Sequence, residues 1–174
     1  LAARLRGALK LPGNLPEAVA TLTDKLRFRQ LQQAIALPCP AFTKVDDDAD
    51  AAVALGFPLV VKARRLNASR GVIRVDNARQ LARALKRVRR IQARAQRNQD
   101  DLLVERFIPG VEVALDGVLV NGALQVLAVF DKPDLLDGPY FEETLFVTPS
   151  RLPAATQCEL AAAVQRACAA SGVT

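Results

Sequence analysis

Lys62 stands near the end of a short apolar run, Phe57-Pro58-Leu59-Val60-Val61-Lys62-Ala63. The chain then passes through Arg64-Arg65-Leu66-Asn67-Ala68-Ser69-Arg70-Gly71 into a second β-rich run, Gly71-Val72-Ile73-Arg74-Val75. A lysine fixed on a strand, beside a hairpin loop of arginines and small polar residues, can close over anionic oxygens and neutralise them. That is polyphosphate chemistry; the plainer alternative is a solvated basic turn. Further on, Leu102-Leu103-Val104-Glu105-Arg106-Phe107-Ile108-Pro109-Gly110 reads as a buried strand ending in a Pro-Gly turn. In the alternating run that follows, Val111, Val113 and Leu115 share one face, and Glu112, Ala114 and Asp116 the other. Two carboxylates on one side of a strand can accept from hydroxyls or amines, or can simply face water.

These groups need elements to hold them. The pattern predicts a helix over 15–36 with Pro16 and Glu17 in its first turn and Pro38 stopping it. It then predicts a brief strand at Ala41–Thr43, a short acidic-ended helix from Asp46 to Leu55 and the hairpin from Pro58 to Val75. Asp76 or Asn77 caps a long helix to about Gln96, and a polar turn covers 98–101. Strands follow at 102–108, 111–119 and 123–130, with Asn121-Gly122 a type I′ hairpin signal. A loop from Asp131 to Tyr140 precedes a strand at 141–147 and a final helix from Pro153 to Ala170. The fold class is α+β.

Composition narrows the chemistry. The 174 residues are 51% apolar, enough for a core built on Ala, Leu and Val. No apolar run of ~18 residues is present, which speaks against a membrane helix, and no secretory signal opens the chain. Cys39, Cys158 and Cys168 lack metal-like spacing and read as thiols of a reducing cytoplasm. With no histidine, Ser-His hydrolysis and histidine-ligated zinc are excluded. The net charge of +6 fits an anionic partner. Arg79, Arg83, Lys86, Arg87, Arg90, Arg94 and Arg97 line one helix face opposite Leu81, Leu85, Val88, Gln92 and Ala95. Such a stripe is a solvated surface or a nucleic-acid footprint, and no aromatic residue is interleaved in it to stack on bases.

Taken together, several segments resemble the ATP-grasp superfamily. They are Leu11-Pro12-Gly13-Asn14, Asp24-Lys25, Leu37-Pro38-Cys39-Pro40, 56–62, Ser69-Arg70-Gly71-Val72, 104–113 and Asp137-Gly138-Pro139-Tyr140-Phe141-Glu142-Glu143. The variety is similar to carboxylate–amine ligases, amino-acid ligases and carnosine-synthase-like enzymes among them. A biotin-carboxylase or carbamoyl-phosphate-synthase-like domain is the alternative, and a basic nucleic-acid-binding module the alternative of another class. The resemblance implies two α+β lobes with mostly antiparallel sheets clamping ATP. It divides the chain into the end of a preceding linker helix (1–23), a small lobe with the phosphate-covering hairpin (24–99) and the first part of a large lobe (100–174).

By the same resemblance, Lys62 and Lys25 would reach the phosphates as catalytic cations, and Ser69, Arg70, Gly71 and Val72 would close over them. Asn67 and Ala68 stand where the family is usually richer in glycine. Glu105, Arg106, Phe107 and Ile108 would form the adenine hinge, with Glu105 near the exocyclic amine, and Glu112 would accept from the ribose. Lys132, Glu142 and Glu143 are weaker candidates for the substrate side, and Asp116 is unassigned. ATP, a carboxylate and an amine are the implied partners, with a homo-oligomer open. Mg²⁺ is implied too, its ligands expected past Thr174. Both ends read as cut, so the expectation is an internal fragment with weak nucleotide affinity and no turnover by itself.

Overall fold

The computed structural model describes residues 2–46, 49–97, 101–135 and 137–174. The polar turn expected at 98–101 and the acidic start of the short helix fall largely outside these residues. Two compact units interleave along the chain: Cys39–Gly110 with Leu135–Glu143, and Leu1–Pro38 with Val111–Asp134 and Thr144–Thr174. The division therefore does not follow the consecutive 24–99 and 100–174 stretches, because the strand at 102–106 pairs with strands that precede it.

The 39–110 unit contains β1 (Phe42–Val45), α4 (Asp50–Val53), β2 (Leu59–Ala63), β3 (Val72–Val75), α5 (Ala78–Arg94) and β4 (Leu102–Arg106). Its sheet is antiparallel throughout, in the order β1-β4-β2-β3. Register puts Val45, Leu59, Val61, Ala63, Ile73, Val75, Leu102 and Val104 on one face, and α5 lays Leu81, Ala84, Leu85 and Val88 into the same cluster. At ~25 cal/mol per Å² this apolar burial is the main stabilising contribution. Asn77 caps α5, accepting from the Gln80 N–H at 3.0 Å, while Gln80 accepts from the Asp76 N–H. Arg97 lies beyond the last turn of α5, its N–H donating to the Gln92 carbonyl.

The other unit holds α1 (Ala2–Ala8), α2 (Pro16–Thr23), α3 (Lys25–Ala34), β5 (Val113–Val120), β6 (Ala123–Asp131) and α6 (Ala154–Ser171). The single helix expected over 15–36 is broken at Asp24. This residue is extended (φ −113°, ψ 107°) and its carboxylate accepts from the N–H groups of Leu26 and Arg27, starting a new helix. Since Asp24 is only 1% exposed, Asp24→Ala should cost about 1–2 kcal/mol, read as a lower denaturant midpoint with an unchanged slope.

The β5–β6 hairpin turns at Asn121-Gly122 with φ of 51° and 79°, the type I′ geometry that the dipeptide predicts. Gln165 of α6 clamps this turn, accepting from the Leu124 N–H and donating to the Gly122 carbonyl. The expected alternation is displaced at both ends: Val111 is 83% exposed and outside β5, and a bulge interrupts the register at Asp116/Gly117.

No strand forms at 141–147. Val147 makes an isolated bridge to Asp131, and Thr144 donates through N–H and hydroxyl to the Asp134 carboxylate. The backbone of this stretch is thus satisfied locally rather than in a sheet. Asp131 in turn accepts from the Ser150 hydroxyl and from Arg151. These bonds hold the Asp131 and Asp134 carboxyls below their usual range, Ser150 being the larger cause for Asp131 and the Thr144 hydroxyl for Asp134. A depressed folded-state value stabilises above the unfolded value and is lost as pH falls through the folded one. The stability difference between wild type and Asp131→Asn should therefore be full above about pH 5 and vanish progressively below about pH 4. Thermal melts across that range check it.

Candidate functional site

β2 and β4 position the first candidate group. Lys62 lies opposite Leu103 and Glu105 opposite Val60, so the two charged residues are diagonal neighbours on the sheet face turned away from α5. Their side chains meet at 2.6 Å, Nζ to Oε2, with the lysine 20% and the glutamate 3% exposed. A charge pair so deeply placed is costly to desolvate and persists only with good geometry. It fixes an ammonium on a rigid strand, where an anion can be received without reorganisation.

Arg74 sits opposite Val60 on that same face. Its guanidinium lies 4.3 Å from the Phe107 ring centroid, donates to Asp76 at 3.0 Å and reaches the Asp137 carbonyl at 2.8 Å. The sequence reading did not single out Arg74. Its parity with Lys62 becomes visible only once the β2–β3 register is known.

At the end of β4 the residues expected to form an adenine hinge divide into engaged and open groups. The Arg106 N–H donates to the Ala41 carbonyl and the Phe107 N–H to the Pro58 carbonyl. Ile108 is 64% exposed, and its N–H has no hydrogen-bond partner among the described residues. The Phe107 N–H is therefore taken, whereas the Ile108 N–H is open.

The loop after β2 contains a tight turn in which the Arg70 N–H donates to the Asn67 carbonyl, with Ala68 at φ 51° and Ser69 at φ 52°. Two non-glycine residues thus occupy the left-handed region, which costs roughly 1–2 kcal/mol per residue. The loop is formed without the glycines whose absence the sequence made notable. Arg70 bends back to the Asn67 side chain at 2.8 Å, and Arg64 pairs with Asp101 at 3.3 Å. A cavity of about 440 Å³ lies along this loop, between Ser69-Arg70-Gly71 and Tyr140-Phe141-Glu142-Glu143. The structure so brings Glu142 and Glu143 to the loop segment that contains Ser69 to Val72.

Lys25, Glu112 and Lys132 belong to the other unit. Lys25 is the first residue of α3, directly after the capping Asp24. Glu112 and Lys132 form a short ion pair, and the Lys132 N–H also donates to the Glu112 carbonyl at 3.2 Å. Lys132, with its side chain 8% exposed, lies 5.3 Å from the Phe146 ring centroid. It is much better fixed than its position after a predicted strand suggested. Asp116 is an exposed β5 residue at the bulge.

Among the described residues, no three Cys, Asp or Glu side chains converge as a metal-binding group, and no helix is long and apolar enough to cross a membrane. The three cysteines are free thiols, and burial pushes Cys168 up.

Comparison with known proteins shows the family. A D-alanine–D-alanine ligase of Aromatoleum aromaticum is 34% identical over 172 residues, covering 94% of this chain and 53% of the relative. One from Pseudomonas putida is 31% identical over 163 residues, covering 90% and 48%. The chain spans about half the length of these curated relatives. Among solved structures, an L-amino acid ligase from Bacillus licheniformis superposes with a TM-score of 0.80 at 28% identity, over 98% of this chain and 39% of that one. The biotin carboxylase domain of a Hydrogenobacter thermophilus 2-oxoglutarate carboxylase gives 0.81 at 20% identity, with the same coverages, a likeness of fold alone. The sequence pattern of the ATP-grasp domain matches residues 55–174, the stretch that contains Lys62, the loop after β2, residues 105–108 and Glu112. With the antiparallel lobe and its buried lysine–glutamate pair already in place, the conclusion is direct: this chain belongs to the ATP-grasp family.

Proposed function

We propose that this chain supplies the ATP-binding part of a ligase that joins a carboxylate to an amine. The observation that carries the reading is the Lys62–Glu105 pair, buried on a sheet face one strand-end away from the open N–H of Ile108. An ammonium held on a strand suits the α- and β-phosphates. A free backbone donor after an acidic strand end suits a purine ring nitrogen. Glu105 keeps the lysine placed, and its position at the hinge suits the exocyclic amine. Ser69 to Val72 form the phosphate cover, Glu112 accepts from the ribose, and Lys25 is a second phosphate cation.

In such a ligase the carboxylate oxygen attacks the γ-phosphorus and ADP departs. The amine then attacks the acyl carbon of the acyl phosphate and inorganic phosphate departs. The protein's contribution is to position these groups and neutralise developing charge. Among the described residues no group of Cys, Asp and Glu side chains fits Mg²⁺. The D-alanine–D-alanine ligase and L-amino acid ligase relatives support amino acids as the substrate class.

Calorimetric titration with ATP tests the reading. Saturable binding that is weakened in Glu112→Gln and unaffected in Glu159→Gln is expected; no saturation at millimolar ATP overturns it.

A further inference from the structure

Helix α5 holds seven of the chain's 24 basic side chains and none of its 18 acidic ones. Without α5 the chain is one charge negative, so its positive field originates on this one helix. Arg79, Arg83, Lys86, Arg87, Arg90 and Arg94 are all exposed, and none meets a carboxylate among the described residues. Like charges at i, i+4 destabilise a helix by some tenths of a kcal/mol per pair. A surface kept this way, over a span of ~22 Å, is complementary to a polyanion. The apolar side of α5 is buried in the core, so the helix has nothing to insert into a lipid surface.

The structure adds what the sequence lacked. Tyr140, remote in the chain, is brought to α5 by the pairing of its segment with the edge of β3. The Arg74 N–H donates to the Pro139 carbonyl, and Tyr140 bridges to Ile73. The Arg87 guanidinium then lies 5.0 Å from the Tyr140 ring centroid, while the ring remains 54% exposed. Beside it opens a cleft of about 610 Å³, with Gln80, Arg83 and Arg87 on one wall and Gly138, Pro139 and Tyr140 on the other. A row of arginines leading to one exposed, cation-backed aromatic ring combines backbone neutralisation with a base platform.

We infer that the outer face of α5, with Tyr140, binds single-stranded nucleic acid, the phosphates running along the arginine row and one base stacking on Tyr140. An acidic peptide would use the same charges and would have no use for the ring. The arginine row lies on the far side of the sheet from Lys62, while Arg87 and Tyr140 also line the cavity beside Ser69 to Gly71; the inference does not depend on the ligase reading.

Fluorescence anisotropy of a short labelled oligothymidylate tests the inference on the chain as it stands. Saturable binding is expected, with log K falling against log salt at a slope of roughly −3 for four or five neutralised phosphates. Arg83→Gln with Arg90→Gln should weaken binding at least tenfold and flatten that slope. Tyr140→Ala should weaken it about tenfold and leave the slope in place. Circular dichroism melts verify that these surface variants fold. Absence of binding at low salt overturns the inference, as does displacement by stoichiometric ATP. Binding that ignores Tyr140→Ala and is competed equally by polyglutamate also overturns it, in favour of an acidic protein partner.

Discussion

Lys62→Ala is expected to abolish ATP binding and, at the same time, to destabilise the 39–110 unit by about 3 kcal/mol. The second effect arises because Glu105, 3% exposed, loses the ammonium 2.6 Å from its carboxylate, and removing one partner of a buried ion pair is strongly destabilising. The two effects separate in the double variant Lys62→Met with Glu105→Leu, where apolar groups replace both charges. That protein should recover most of the lost stability, as buried pairs replaced by hydrophobes commonly do, and should still bind no ATP. Urea unfolding and calorimetry on the same preparations check both. A double variant that binds ATP normally would remove the pair from the nucleotide site.

Gly71→Ala is expected to cost about 2–4 kcal/mol. Gly71 has φ +72°, and a methyl group there would stand 3.0 Å from the Ala63 Cβ and 3.3 Å from Val88 Cγ1. Backbone strain and overpacking therefore add at one position, between the start of β3 and the buried face of α5. Ala68→Gly makes the complementary test. The residue already holds φ +51°, so removing its side chain relieves strain at the cost of greater freedom in the unfolded chain. It should stabilise by up to about 1 kcal/mol. Denaturant midpoints of opposite shift for these two neighbouring substitutions are the expected result.

Much of this was legible in the chain. The hairpin around Lys62, the Asn77 cap, the Asn121-Gly122 turn and the basic face of α5 depend on neighbouring residues and on simple periods, and the structure has each of them. Features set by register or by distant partners were not legible. Arg74 shares the Lys62 face through β2–β3 pairing, and the Phe107 N–H is taken by Pro58. Asp24 breaks what periodicity reads as one helix, since a buried carboxylate capping two amides outweighs the propensity to continue. The segment at 141–147 has strand-like residues, yet its ends are fastened by Tyr140 to β3 and by Val147 to Asp131. A local pattern contains no information about such attachments.

The interleaved units also set an order of events during synthesis. Every strand of the four-stranded sheet lies between Phe42 and Arg106, so that unit's sheet can be completed as soon as β4 has left the ribosome. The segments around α2 and α3 make some of their bonds later. The carbonyl at the end of α3, on Ile35, waits for Arg166, 131 positions later, and Asn14 waits for the N–H of Thr174. Closing such long loops is slow, so these helical segments find those partners only after the sheet of the 39–110 unit can form.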